Sequence, residues 1–310
     1  MVSELPSLVI AADWSVDPRK RWMARADLTS EDRYLLYPPE TAGKPSNLVS
    51  RIRQIVSHRR TALIGFDFPI GLPRSYAKAV GIVSWRQALY QFGSSGWENF
   101  YNVSNDPSLY NPFFPLPKRT GEKGNYRKQL VEKLGFTKFD QLKRRCDIQA
   151  KAESLFYTLG PKQVGRAAIN GWREVLGPAM DQIHFWPFDG RLSQLLESTG
   201  IVVAEIYPRE AYRQLDISVG PGTGRSKRRR EDRKAVSLGL LSRIKKNDWI
   251  SITKAAESCF VWGFNSDDDF DAMISLISMI QILVGIYTCA LPENDSKVLS
   301  IEGWILGQQP

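Results

Sequence analysis

The sequence is poor in the residues on which several kinds of site depend. Its three cysteines, Cys146, Cys259 and Cys289, are spaced for neither a zinc-binding CxxC pattern nor a paired disulfide framework. They read as buried thiols of a reducing compartment. There are two histidines, His58 and His184, and one triad or one zinc site would consume most of that supply. Histidine-dependent mechanisms are disfavoured, and both residues read as caps or packing groups. The start MVSELPSLVI lacks a basic n-region, so no signal peptide is expected and the protein reads as cytoplasmic. The one long apolar run, residues 272–291, contains Gln281 and several hydroxyls, which suits a helix buried in a protein core better than a membrane span. No internal repeat or long linker is evident. In GPGTGRSK, from residue 220, the GxxxxGK[ST] spacing of a phosphate loop is absent and no buried strand leads directly into it.

What remains is an ordinary globular composition, 310 residues with 43% hydrophobic and 24% charged, read as a single domain over 1–310. Forty-two Lys and Arg against 33 Asp and Glu give +9, which favours an anionic partner without naming it.

Short apolar runs mark the strands. Residues 8–12 (LVIAA) form a first strand ending at Asp13, and 22–26 with 33–37 suit a meander that supplies the second and third. Residues 45–58 carry Leu48, Ile52, Ile55 and Val56 at helical spacing after Pro and Ser. A fourth strand, 62–66 (ALIGF), ends at Asp67 before the turn FPIGLP, where a cis peptide is an option. Residues 75–189 turn aromatic, Pro-rich and basic between helical patterns such as FDQLKRRCDIQAKAESLFYTL, and read as a helical insertion. The fifth strand, 201–205 (IVVAE), ends at Glu205. A glycine-rich, then strongly basic stretch predicts an exposed loop, followed by a helix from 238 and a long helix opened by SDDDFDAM.

Three strands thus end in acids, and strand C-termini are where open α/β sheets bind ligands. If the first and fourth strands are parallel neighbours, Asp13 and Asp67 stand about 5 Å apart, a separation that calls for a positive group between them. Asp268 and Asp271, at i and i+3, share a helix face and can aim at the same point. Hard oxygen donors without imidazole or thiolate suit Mg²⁺ or Mn²⁺, a combination able to support phosphodiester cleavage.

In order along the chain, IAADWS, IGFDFPIGLP, AEIYP, DDDFDAM and EGWILGQ, with KRRCD (143–147), VGRAAINGW (164–172) and WPFDG (186–190), resemble the domain-of-unknown-function family 429, predicted ribonuclease H-like nucleases. The resemblance implies a ribonuclease H-like mixed five-stranded sheet, order 3-2-1-4-5, flanked by helices, with the 75–189 insertion between the fourth and fifth strands. It further implies Asp13, Asp67, Asp271 and Asp268 as metal ligands, with Glu205 a fifth catalytic acid. No Glu occurs between Lys44 and Arg60, where ribonuclease H proper places one, so hybrid cleavage is not expected. The acid pair of the final helix is closer to Holliday-junction resolvases.

Each residue also has a structural alternative. Asp13 and Asp67 suit turns, and Glu205 can pair with Arg209 or with an arginine of the insertion. Asp267–Asp271 suit a helix N-terminus, with Asp271 expected inward and Asp269 outward. Arg144 and Arg145 are candidates for a phosphate or for a solvent-facing helix edge, and Lys227, Arg228 and Arg229 for a nucleic-acid backbone or a solvated charge run. The aromatics of 97–119 read as the insertion's core ahead of base-stacking groups, Trp304 as a packing residue and Glu302 as an outside candidate for the site. The leading expectation is a metal-dependent phosphodiester hydrolase acting on nucleic acid. Alternatives are a small-molecule phosphoryl-transfer enzyme of the same fold, disfavoured because WSVDP after Asp13 lacks the Gly and Thr of a phosphate hairpin, and a non-catalytic nucleic-acid-binding protein.

Overall fold

Residues 8–12, 62–66 and 201–204 are apolar without alternation because the strands they form are covered on both faces. The computed structural model describes residues 4–56, 60–94, 96–116, 125–159, 164–198, 200–220, 222–292 and 295–310. His58 and the basic stretch 117–124 lie outside the described residues. Eight strands are present among them: β1 (Leu8–Asp13), β2 (Trp22–Leu28), β3 (Tyr34–Leu36), β4 (Glu40–Thr41), β5 (Thr61–Phe66), β6 (Ile183–Phe185), β7 (Gly200–Glu205) and β8 (Ile250–Ile252). They form one mixed sheet in the order β6-β7-β5-β1-β2-β3-β8, with β4 paired to β2. The β1, β5, β7 and β6 neighbours run parallel, and β2 is antiparallel to both β1 and β3.

Side chains alternate across the pleat, so each central strand feeds two cores. Leu8, Ile10 and Ala12 of β1, with Ile64 and Phe66 of β5, face the helices and loops that follow β5. Val9 and Ala11, with Leu63 and Val202, face the helix Asp267–Leu283 and the other helices that follow β7. Each large side chain so buried contributes roughly 1.5–3 kcal/mol, and the aromatics Trp97, Phe100, Phe113 and Phe114 belong to the first of these cores.

Several expectations are corrected. The insertion does not extend unbroken to 189, because Ile183–Phe185 leaves it to become an edge strand on β7. The helical pattern expected across 139–159 is a 3-10 turn (Phe139–Leu142) and a short helix (Arg145–Ala150), ended by Lys151 at φ 53°. The helix expected from 238 starts at Arg230 and takes up the end of the basic run. β8 and the helix Lys254–Trp262 carry no periodic signal strong enough to be read. The final helix ends at Leu283, and among the described residues no helix is long and apolar enough to cross a membrane. The cis peptides found are Phe114–Pro115 and Trp186–Pro187, not Phe68–Pro69. Of the three cysteines, all free thiols, only Cys146 is fully buried.

Candidate functional site

Register decides which strand-end acids can meet. β1 and β5 are parallel with Ala12 opposite Phe66, and the Asp67 amide donates to the Ala12 carbonyl at 3.0 Å. Asp13 and Asp67 are therefore level on adjacent strands, about 5 Å apart in the pairing direction. By parity both belong to the side of Val9, Ala11 and Leu63, the side covered by the final helix. Gly65 lets that helix approach closely, since a Cβ there would meet Met279 Sδ at 2.7 Å. Ser266 caps the helix and Asp269 closes a capping box, accepting from the Ser266 and Asn265 amides at 2.9 Å. The expectation that Asp269 faces solvent is thus corrected: the cap buries it. Two positions on, the helix turns Asp271, also buried, towards Asp13 and Asp67.

The three aspartates form one electrostatic unit. Burial, then the charges of Asp271 and Asp67, hold the Asp13 carboxyl well above its ordinary range. Burial, then Asp271, push Asp67 up to about 7, while a hydrogen bond between the Asp13 and Asp67 carboxyls works the other way. Asp268, half-buried beside them, is raised to about 6 by burial and then by the charges of Asp267 and Asp271. Burial raises Asp271 too, opposed by Lys227 and Tyr212. Tyr212, on the helix Pro208–Gln214 that follows β7, donates its hydroxyl to Asp271 Oδ1, and Lys227 donates its ammonium to Oδ2. Burial works against the Lys227 charge, but Asp271, then Asp13 and Asp267, outweigh it and raise its pKa. Asp271 has its charge compensated by an ammonium in contact, whereas burial and each other's charge push Asp13 and Asp67 towards the protonated form.

Glu205 belongs to a different network, also for reasons of parity. It stands opposite Phe66, not Asp67, and so takes the other side of the sheet end. There it accepts from the Ile70 amide and from Arg144 Nη2, each at 2.7 Å. Burial raises its pKa against the opposing pull of Arg144. Arg144 is 0% exposed and also bonds Asp147 through Nε and Nη2. This corrects the expectation for Arg144, which is an internal tie and neither a phosphate contact nor a solvent-facing edge, and of the two readings of Glu205 it is the pairing with an insertion arginine that is found, with no free oxygen turned to the aspartates. Arg145 is partly exposed and pairs with Asp295 at 3.3 Å. Glu302 is buried and paired with Arg74, outside the aspartate cluster.

The other sequence motifs converge on the turn that carries Asp67. Asn170 accepts from Trp14 Nε1 at 3.0 Å, Gly171 lies where a Cβ would strike Phe68 at 2.3 Å, and Trp172 Nε1 donates to the Pro69 carbonyl at 2.7 Å. Trp14, Phe66 and Phe68 pack ring against ring at the ends of the two aspartates' strands, on the opposite face of the sheet. Gly71, at φ 136°, lies where a Cβ would be 2.0 Å from the Glu302 carbonyl, and Gly303 stands equally close to Ile70. Leu72 donates to Ile301 at 2.8 Å, Leu306 donates to Glu205 at 2.8 Å, and Trp304 is buried beneath.

Of the expected site residues, Asp13, Asp67, Asp271 and Asp268 are brought together, joined by Lys227. Arg228 and Arg229 are exposed on the loop before Arg230, Arg229 tied to Asp232 at 2.5 Å. His184 is exposed on β6. Tyr212 was not foreseen; its signal is one helical turn after the strand ending in Glu205. Hard carboxylate oxygens crowded together in a buried site, and satisfied in part by an ammonium, are the donor chemistry of a divalent-cation site. Among the described residues, however, no three His, Cys, Asp or Glu side chains stand ready to hold an ion, and both Asp271 oxygens are engaged by Tyr212 and Lys227. Compared with protein-family models, curated proteins and solved structures, the chain matches none.

Proposed function

We propose that this protein is a metal-dependent phosphodiester hydrolase acting on nucleic acid. The observation that carries the reading is the level placement of Asp13 and Asp67 at the ends of adjacent parallel strands, met by Asp271 from the final helix. The strand run β3-β2-β1-β5-β7, antiparallel on one side of β1 and parallel on the other, supports a ribonuclease H-like core. Asp13, Asp67 and Asp271, with Asp268 alongside, are the ligands for Mg²⁺ or Mn²⁺. Such a metal supplies activation of water and stabilisation of the leaving oxygen when bound. The chain's own part is to hold two carboxylates side by side, to fix Asp271 through Tyr212, and to offer Lys227, Arg228 and Arg229 beside them for phosphate charge.

The test is Mn²⁺ titration by calorimetry at fixed pH and salt, with a cleavage screen over single-stranded, duplex and branched nucleic acids. Wild type is expected to bind Mn²⁺ and to cleave at least one class. Asp13→Asn combined with Asp67→Asn is expected to remain folded and lose both. Salt-sensitive nucleic-acid binding with no cleavage, unchanged in that double variant, would instead mark a binding protein. Stabilisation by nucleotides without cleavage would mark phosphoryl transfer to a small molecule.

A further inference from the structure

Lys227 lies at the cluster in an arrangement suited to exchange. Its ammonium contacts Asp271 Oδ2, while the other oxygen of that carboxylate is held by Tyr212, so displacing the lysine leaves Asp271 oriented with one oxygen free. Its charge also acts on Asp13 and Asp67. An ammonium and a divalent ion cannot share Oδ2 at contact distance, since like charges a few ångström apart in a partly buried site repel strongly.

The backbone and side chain of Lys227 are restrained very differently. Buried Arg233 donates to the Lys227 carbonyl at 2.6 Å and to the Gly263 carbonyl at 2.9 Å, which pins the main chain to the turn before the final helix. The Lys227 side chain is 38% exposed, so four methylenes lead from a fixed point to solvent. Leaving Asp271 therefore requires side-chain rotation only, with no refolding of the loop.

We infer that Lys227 occupies the cation position of the Asp13, Asp67 and Asp271 cluster, so that a divalent metal enters only as the lysine leaves. The inference rests on the metal-dependent reading above and adds its regulation: the resting site is closed by its own cation, and metal entry frees an ammonium at the rim. It accounts for a carboxylate cluster that offers no ready cage.

Two measurements test it. In calorimetric Mn²⁺ titrations of the full chain, Lys227→Met is expected to bind about tenfold or more tightly than wild type, and Arg225→Met, altered on the same loop, to bind as wild type does. Adding Asp13→Asn and Asp67→Asn to Lys227→Met is expected to abolish the gain. In wild type, acetylation of Lys227 by acetic anhydride, read by mass spectrometry, is expected to rise several-fold at saturating Mn²⁺, a readout that needs no variant to fold. Equal Mn²⁺ affinity in wild type and Lys227→Met, with acetylation unmoved by Mn²⁺, overturns the exchange and leaves the metal-dependent reading standing. Binding by Lys227→Met alone supports it in its strongest form. Absence of binding in both proteins overturns the metal-dependent reading, and the exchange with it.

Discussion

Asp67→Asn is expected to stabilise the metal-free protein, and only at pH values where the carboxyl group ionises. Burial and the neighbouring Asp271 charge raise Asp67 from 3.8 to about 7, while the charge of Lys227, that of Glu205 from the other side of the sheet, and a hydrogen bond with Asp13 also act on it. The folded protein therefore keeps a proton that the unfolded chain has released between about pH 4 and 7, so stability falls as pH rises through that window and the full penalty stands above it. At about 1.4 kcal/mol per pH unit the shift corresponds to roughly 4 kcal/mol. Asp67 retains some accessible surface, and solvent screening reduces the expectation to about 2 kcal/mol, or roughly 3 °C in melting temperature for a chain of this size. Urea denaturation of wild type and Asp67→Asn in EDTA, at pH 4 and pH 8, measures it. The variant should exceed wild type at pH 8 and match it within about 0.5 kcal/mol at pH 4, where Asp67 is protonated in the folded protein and about half protonated in the unfolded chain. An equal gain at both pH values, or a loss at pH 8, would refute the argument. A residue that lowers stability where it stands is kept for what it binds, so the same variant should also lose Mn²⁺.

Two further substitutions test the frame around the cluster. Arg144→Met leaves Glu205 and Asp147 buried without their cation and should cost about 3–5 kcal/mol at neutral pH, less at acid pH where Glu205, already raised by burial, takes up a proton, as read from denaturation curves at both. Gly71→Ala should destabilise by about 3 kcal/mol or more because its Cβ meets the Glu302 backbone, whereas Gly81→Ala, also left-handed but with open space around it, should cost about 1 kcal/mol in the same assay.

The strands that build the site were legible because burial on both faces leaves unbroken apolar runs, and an acid after such a run stands out. Asp13 and Asp67 were found in that way, as was Asp271 from the crowded start of an apolar helix. Glu205 carried the same local signal, yet its role turned on pairing: opposite Phe66 it faces Arg144, and one residue of register would have brought it to Asp67. Arg144 looked like a surface residue because KRRCD is charged, and only tertiary structure supplies the two carboxylates that allow its burial. The short edge strands β6 and β8, three residues each, offer too few positions for a period to show. Lys227 was legible as a basic residue and not as an inward one, since a charge run does not reveal which member faces a carboxylate.

The interlock between the Asp67 turn and residues 301–308 bears on the order in which a nascent chain can mature. During synthesis the strand bearing Asp67 emerges more than two hundred residues before Glu302 reaches Arg74 and Leu306 bonds the end of β7. Until then the turn lacks the carbonyls and carboxylate that clamp Gly71, Leu72 and Arg74. A translating ribosome therefore carries the carboxylates on an unlatched turn, and the latch closes only once residues 301–306 have emerged.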